Sequence, residues 1–324
     1  MAIGSGLGSQ FGMAAESTYG TPVTVTRFLE MQKEGVKNDV GKHFSRGTKD
    51  LVVRSSRSRT YSKGCMGTIE FEVMNKGFGL LLQHCLGSGS VAQVGATDEY
   101  DHTITVDLTN GKFGRMATVQ IGRPDVGGTV RPFTYAGGKV VEFEFSSELD
   151  GPLSTTWDFQ SETTGTALAS ASYPSSPQSF IFIDGAMEID GVAVAVKSGK
   201  IGGKWALDTD RRFLGAITTK KQPIANGELE ITGELVLEFE SLTEYAKFVA
   251  GTQSALELRW AFGEIGSTGE PYHLTMTVPV VEYTGETPNV ESSEVLLQTL
   301  PFKALYNGTD NPWTIVYSTS DTAL

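Results

Sequence analysis

Residues 227–251 read GELEITGELVLEFESLTEYAKFVAG, a stretch whose period changes once. Glu228, Glu230, Glu234, Glu238 and Glu240 fall on even positions, and Leu229, Ile231, Leu235, Leu237 and Phe239 on odd ones. Strand side chains alternate between faces, so this parity builds one oily face and one carboxylate face, with Val236 the apolar exception. From Ser241 onward, Leu242, Tyr245, Phe248 and Val249 recur at helical spacing. Ser241 is placed as N-cap with Glu244 three residues on, and Gly251 supplies the stop. These residues predict a long, one-sided acidic strand over 228–240 running into a short helix.

The same unit occurs earlier. Residues 67–87 read GTIEFEVMNKGFGLLLQHCLG, with Ile69, Phe71 and Val73 on one parity and Glu70 and Glu72 on the other. Leu80, Leu81 and then His84 or Cys85 follow at helical spacing and end at Gly87. An element met twice points to a duplicated domain.

Composition agrees with a mostly β chain of one large or two ordinary domains: 324 residues, 38 of them glycine, with few helix-period segments. A formal net charge of −12 argues against a wide basic face for nucleic acid and suits a protein that must not adhere to it. Two cysteines, Cys65 and Cys85, cannot form a disulfide framework, so reduced cytoplasmic assembly is expected. Neither a leader nor an apolar run long enough for a bilayer is read.

Taken in order, residues 1–25 are small and Gly-rich and read as an arm. Gly4, Gly6 and Gly8 lack the strand before and the Lys-bearing helix after that a phosphate loop needs. A first strand is expected over Thr26 to Glu34. Residues 37–65 then read as one long loop carrying Lys42, Arg46, Lys49, Arg54, Arg57, Arg59 and Lys63 against only Asp39 and Asp50. Its partner could be nucleic acid, the acidic surface of another copy, or solvent alone; with only Phe44 and Tyr61 interleaved, the first is thin.

After the first strand–helix unit, strands are expected at 102–108, 115–122, 133–145 and 153–159, with Glu142 and Glu144 alternating against Val141, Phe143 and Phe145. Residues 161–178, SETTGTALASASYPSSPQ, read as a linker. The second half follows the same outline. A hairpin turns at Asp190-Gly191, and a loop over 202–226 holds Lys204, Arg211, Arg212, Lys220 and Lys221. The acidic strand and helix come next, then strands at 255–262, 273–283, 295–306 and 314–319. The expected division is an arm over 1–25, a domain over 26–160, a linker over 161–178 and a second domain over 179–324.

No catalytic or metal constellation is read. His43, His84, His102 and His273 lie far apart, and Asp98-Glu99-Tyr100-Asp101-His102 lacks the pattern of a calcium loop. Paired glutamates could serve glycoside hydrolysis, but these carboxylates repeat along whole strands instead of converging, and Trp157, Trp205, Trp260 and Trp313 are scattered. A structural role is therefore expected, with no cofactor. A carbohydrate- or receptor-binding β protein of a virion or cell surface is the alternative.

The opening SQFGMAAESTYGTPVTVTRFLEM, the long loop with the acidic strand and helix, and Phe133-Thr134-Tyr135-Ala136-Gly137-Gly138-Lys139-Val140 resemble the major tail tube protein of long non-contractile-tailed bacteriophages. The resemblance implies a mainly β chain of two tandem β-sandwich or half-barrel domains, each with one flanking helix and a long loop. It implies assembly with copies of itself, as a homotrimeric pseudo-hexameric ring or a homohexamer, and stacking of rings into a virion tail tube. Tape measure protein and tail tip or terminator proteins would be the other partners, and DNA would pass without specific binding. Glu70, Glu72, Glu142, Glu144, Glu228, Glu230, Glu234, Glu238 and Glu240 are then the expected lumen residues. Lys42, Arg46, Lys49, Arg54, Arg57, Arg59, Lys63, Arg211, Arg212, Lys220 and Lys221 are the expected contacts between subunits or rings.

Overall fold

The computed structural model describes all residues except 1–4, 48–51, 54, 55, 110–113, 147–151, 216, 268, 286 and 291–294. The first half contributes β1 (Gln10–Ala15), β2 (Arg27–Leu29), β3 (Met31–Glu34), β4 (Lys37–Phe44), β5 (Ser58–Glu72), α1 (Gly79–Leu86), β6 (Gly87–Gln93), β7 (Tyr100–Val106), β8 (Ala117–Pro124), β9 (Val130–Ser146), β10 (Pro152–Phe159) and β11 (Ser161–Thr163). The second half contributes β12 (Gly185–Ile189), β13 (Val192–Ala193), β14 (Val196–Lys204), β15 (Leu207–Asp208), β16 (Ile224–Ala225), β17 (Glu230–Glu238), α2 (Thr243–Ala250), β18 (Ser254–Phe262), β19 (Tyr272–Tyr283), β20 (Leu297–Ala304) and β21 (Thr314–Thr319). The protein is mainly β, and every ladder between named strands is antiparallel.

A corner strand makes the two layers. The first part of β9 pairs with β8 and β11, and its last part pairs with β10 and β14. A strand that changes sheets lets two faces close on one core. Thus Phe11 of β1 meets Phe71 of β5 edge to face at 4.9 Å across the layers, and Phe11, Met13, Ile69, Phe71 and Trp157 are fully buried.

The pairing scheme then recurs. The β1–β2 hairpin pairs with β8 as the β12–β13 hairpin pairs with β18. β3 and β4 run along β5 with a register shift at Gln32, and β14 runs along β17 with a shift at Lys197. β10 pairs β5 with Trp157 opposite Gly67; β20 pairs β17 with Phe302 opposite Gly233. The two glycines serve the same close approach: a Cβ on Gly67 would lie 2.5 Å from the Gly35 oxygen, and one on Gly233 would lie 2.5 Å from the Lys200 oxygen. Both helices end at a left-handed glycine, Gly87 and Gly251. Among the described residues, the β6–β7 hairpin has no counterpart; it reaches across the molecule, where β7 pairs with β21.

The halves join through the β9–β14 ladder, in register from Glu142 opposite Lys204 to Ser146 opposite Lys200. Trp313, just ahead of β21, seals the seam by stacking on Phe143 at 5.5 Å and meeting Phe145 at 5.9 Å. One apolar cluster runs through both halves.

Several expectations change. The segment read as an arm carries β1, an interior strand; QFGMAA is too short and too rich in small residues to show alternation. The expected loop over 37–65 is largely a hairpin of β4 and β5, because β4 is solvated on both faces and so carries no apolar parity. The expected first strand divides into β2 and β3, and the acidic strand spans 230–238 rather than 228–240. The residues read as a linker begin with β11 and are tied down: Gln120 bonds the backbone of Ala167 and Ala169, and Asn75 that of Gln178.

Candidate functional site: one polar sheet face shared by both halves

Following the ladders sideways, Lys33, Glu70, Ser154, Glu144, Gly202, Thr232, Lys303 and Glu282 stand abreast on eight strands, β3, β5, β10, β9, β14, β17, β20 and β19. The adjacent row is apolar: Phe71, Leu153, Phe145, Ile201, Phe302 and Tyr283 are all buried. Each such side chain contributes roughly 1.5–3 kcal/mol by leaving water. Parity therefore holds across the seam, so two halves of the chain present one uninterrupted polar surface.

Of the expected lumen residues, Glu70, Glu72, Glu142, Glu144, Glu230, Glu234 and Glu238 lie on this face, and Glu228 and Glu240 flank β17. Sequence parity within single strands could not reveal that lysines share it. Lys33 pairs with Glu70 at 3.0 Å, Lys204 with Glu142 at 3.7 Å and Lys303 with Glu230 at 3.3 Å, all partly or well exposed. Such pairs contribute little stability. Glu144, Glu234 and Glu238 stand without an ion-pair partner among the described residues, so the face stays acidic on balance.

The basic residues divide. Lys42, Arg59 and Lys63 lie on strands β4 and β5, Arg46 and Arg57 on the connection between them, and Lys49 and Arg54 fall outside the described residues. Two from the second loop, Arg212 and Lys220, turn inward onto the first half. Arg212 donates to the backbone oxygens of Thr218 (3.0 Å) and Lys63 (3.3 Å), and the Lys63 amide donates to Thr218 (2.9 Å). Arg211 donates to the Gln222 oxygen at 2.6 Å, and Lys221 remains exposed.

Lys220 corrects its expected place on an open loop: its ammonium is buried in an ion pair with Asp158 of β10. Beside it Lys139, also buried, donates to the Pro223 oxygen at 3.1 Å. Burial holds the Lys139 pKa down to about 8, against the pull of Asp158. Burial likewise pushes the Asp158 carboxyl above its ordinary range despite Lys220. No one-dimensional signal marks this pair, since its members are 62 residues apart.

Three of the four histidines serve the packing, and His43 of β4 is exposed. His84 Nδ1 lies 2.8 Å from the Leu80 oxygen, His102 Nε2 is 2.7 Å from the Asp321 oxygen, and His273 Nε2 is 2.9 Å from Ser318 Oγ. Burial lowers the pKa of each. Among the described residues no three His, Cys, Asp or Glu side chains converge as metal ligands, and no helix is long and apolar enough to cross a membrane. Trp157, Trp205 and Trp313 are buried, so they offer no platform for a sugar ring.

Compared with known proteins, residues 6–304 match the family model described as phage tail tube protein. No curated protein matches the chain.

Proposed function

The chain belongs to the phage tail tube protein family, a structural component of the virion tail, and from that membership we propose that it closes into rings which stack as the tail tube. The carrying observation is the eight-strand sheet with one polar and one buried face. Placed edge to edge around an axis, such sheets form a barrel whose inner wall is the glutamate-bearing face.

Strand number bears on the width of the bore. Eight strands at roughly 4.8 Å span about 38 Å of wall. Barrels of about sixteen strands already leave an aqueous channel, so three copies give a wider bore. We favour a homotrimeric ring, because each chain supplies two matching sets of strands and three chains make six; a homohexamer is the other arrangement. The two domains meet at the β9–β14 seam, joined by the segment over 161–178.

Inside the bore, unpaired glutamates such as Glu144 and Glu234 repel phosphate, so DNA slides without adhering. The repulsion weakens as salt shortens the screening length, to about 8 Å at physiological ionic strength. Tape measure protein would occupy the same channel during assembly, with tip and terminator proteins at the ends.

Electron microscopy of the concentrated purified protein, with mass measurement of the smallest closed assembly, tests this. Hollow tubes built from three-chain rings are expected; protein that stays monomeric across the range where tubes should nucleate contradicts it.

A further inference from the structure

The seam inside the chain has a second, unfilled instance at the chain's own edges. Register equivalence is fixed by Gly67 and Gly233, by Trp157 and Phe302, and by the shifts at Gln32 and Lys197. It maps Lys200–Lys204 of β14 onto residues 35–39. It also maps Glu142–Ser146 of β9 onto residues 285–289: Val140 opposite Trp157 corresponds to Tyr283 opposite Phe302. Gly285 duly sits against Pro301, as Glu142 sits opposite Thr156. Among the described residues, the two mapped segments have no ladder with each other or with a further strand. β4 pairs with β5 alone, and residues 287–290 lie in no strand. At Val36 the edge is capped by side chains, its N–H bonded to Glu34 at 3.0 Å and its oxygen to Arg123 at 2.8 Å.

The helices carry the same asymmetry. All eight residues of α1 are buried and none of α2 is. Phe78, before α1, is 1 % exposed and its counterpart Leu242 is 66 %; Cys85 is 0 % exposed and its counterpart Val249 is 65 %. Part of the cover on α1 is its own β6–β7 hairpin. A side chain of the other half adds to it: Trp205, one residue beyond β14, bonds the Cys85 oxygen. The position matching Trp205 is Val40, and Val40 and Phe44 are exposed.

We propose that a second copy of this chain takes this edge, running its Lys37 opposite Thr287 and its Asp39 opposite Gly285, antiparallel, and laying Val40 and Phe44 over α2. The contact repeats the internal seam head to tail, and a heterologous contact of this kind closes a ring or runs on as a filament. It rests on the ring reading above and adds the register.

Paired antiparallel residues sit about 4.5–5.5 Å apart at Cα, within disulfide range. Lys37→Cys and Thr287→Cys chains are made separately, each diluted into wild-type chain so that tubes form, then co-assembled and oxidised. Cross-linked dimers are expected from the mixture and from neither variant alone, since Cys65 and Cys85 are buried. Asp39→Cys with Gly285→Cys is a second pair in the same ladder. Tubes in which neither pair cross-links overturn this edge assignment and leave the ring reading standing. Wild-type protein that forms no tubes overturns both.

Discussion

Trp205 Nε1 donates to the backbone oxygen of Cys85 at 2.8 Å, so the residue that follows β14 closes over the last turn of α1. A second-half side chain thus completes the first half's core, and the halves cannot be independent in stability. Truncation at a buried aromatic costs about 3–5 kcal/mol. Trp205→Ala is expected to lower the unfolding free energy by that order in a denaturant titration, with loss of near-ultraviolet dichroism from both halves. Two separate transitions, with the first half unaffected, would show that the seam does not couple them.

The Lys220–Asp158 pair makes a sharper prediction. Removing one member of a buried ion pair strands the other, at about 3–5 kcal/mol. Asp158→Asn leaves both Lys220 and Lys139 without their carboxylate, so it should destabilise more than Lys33→Ala, which breaks only the exposed pair with Glu70. Equal thermal midpoints for the two variants would contradict this assignment.

Lys139 gives a pH dependence of definite sign. Its folded pKa is held at about 8 by burial, below the ordinary 10.5. Between those values the unfolded chain binds more protons, so this group's contribution to stability rises with pH across the window. Lys139→Met is expected to be more stable than wild type at pH 7 and to lose that part of the rise, measured by urea titrations at pH 7, 8, 9 and 10. A variant with the wild-type slope would show that Lys139 does not titrate there.

Matching positions on the two helices should respond oppositely. Cys85→Arg puts a charge into a closed core and is expected to abolish folding. Val249→Arg lies on exposed surface and should change stability by no more than about 0.5 kcal/mol. Its effect belongs to assembly: soluble, folded protein that no longer forms tubes in electron micrographs. Normal tubes from Val249→Arg would leave α2 outside any contact.

These predictions draw on features that were unequally legible in sequence. β17 and α2 could be read because one face of each strand turn is apolar and the other acidic, and the helix period takes over at Ser241. β4 could not, since KNDVGKHF meets solvent on both sides in the single chain, and β6, GSGSVAQ, packs too little to leave a pattern. Acidic parity marks the polar side of β9 at Glu144 and of β17 at Glu234, but that the faces of β9 and β14 are continuous depends on a ladder no local signal encodes. Charge runs misled most at Lys220, whose partner Asp158 lies in another strand of the other half.

Reversing the charge of the polar face tests its chemistry. Glu144→Lys, Glu230→Lys and Glu234→Lys together would convert a repelling wall into one that holds phosphate, with affinity that falls steeply as salt rises. Tubes of this variant should retain duplex DNA at low salt where wild-type tubes do not. Equal passage through both would mean that these residues do not meet the DNA.

A helical reconstruction of assembled tubes by cryo-electron microscopy tests the central claim most directly. The eight-strand sheet that runs from β3 at one edge to β19 at the other is expected to form the inner wall of each copy, with Glu144 and Glu234 facing the bore and Phe145 and Leu235 behind them. A map with those glutamates on the outer wall or buried between copies, around a neutral or basic channel, would contradict it.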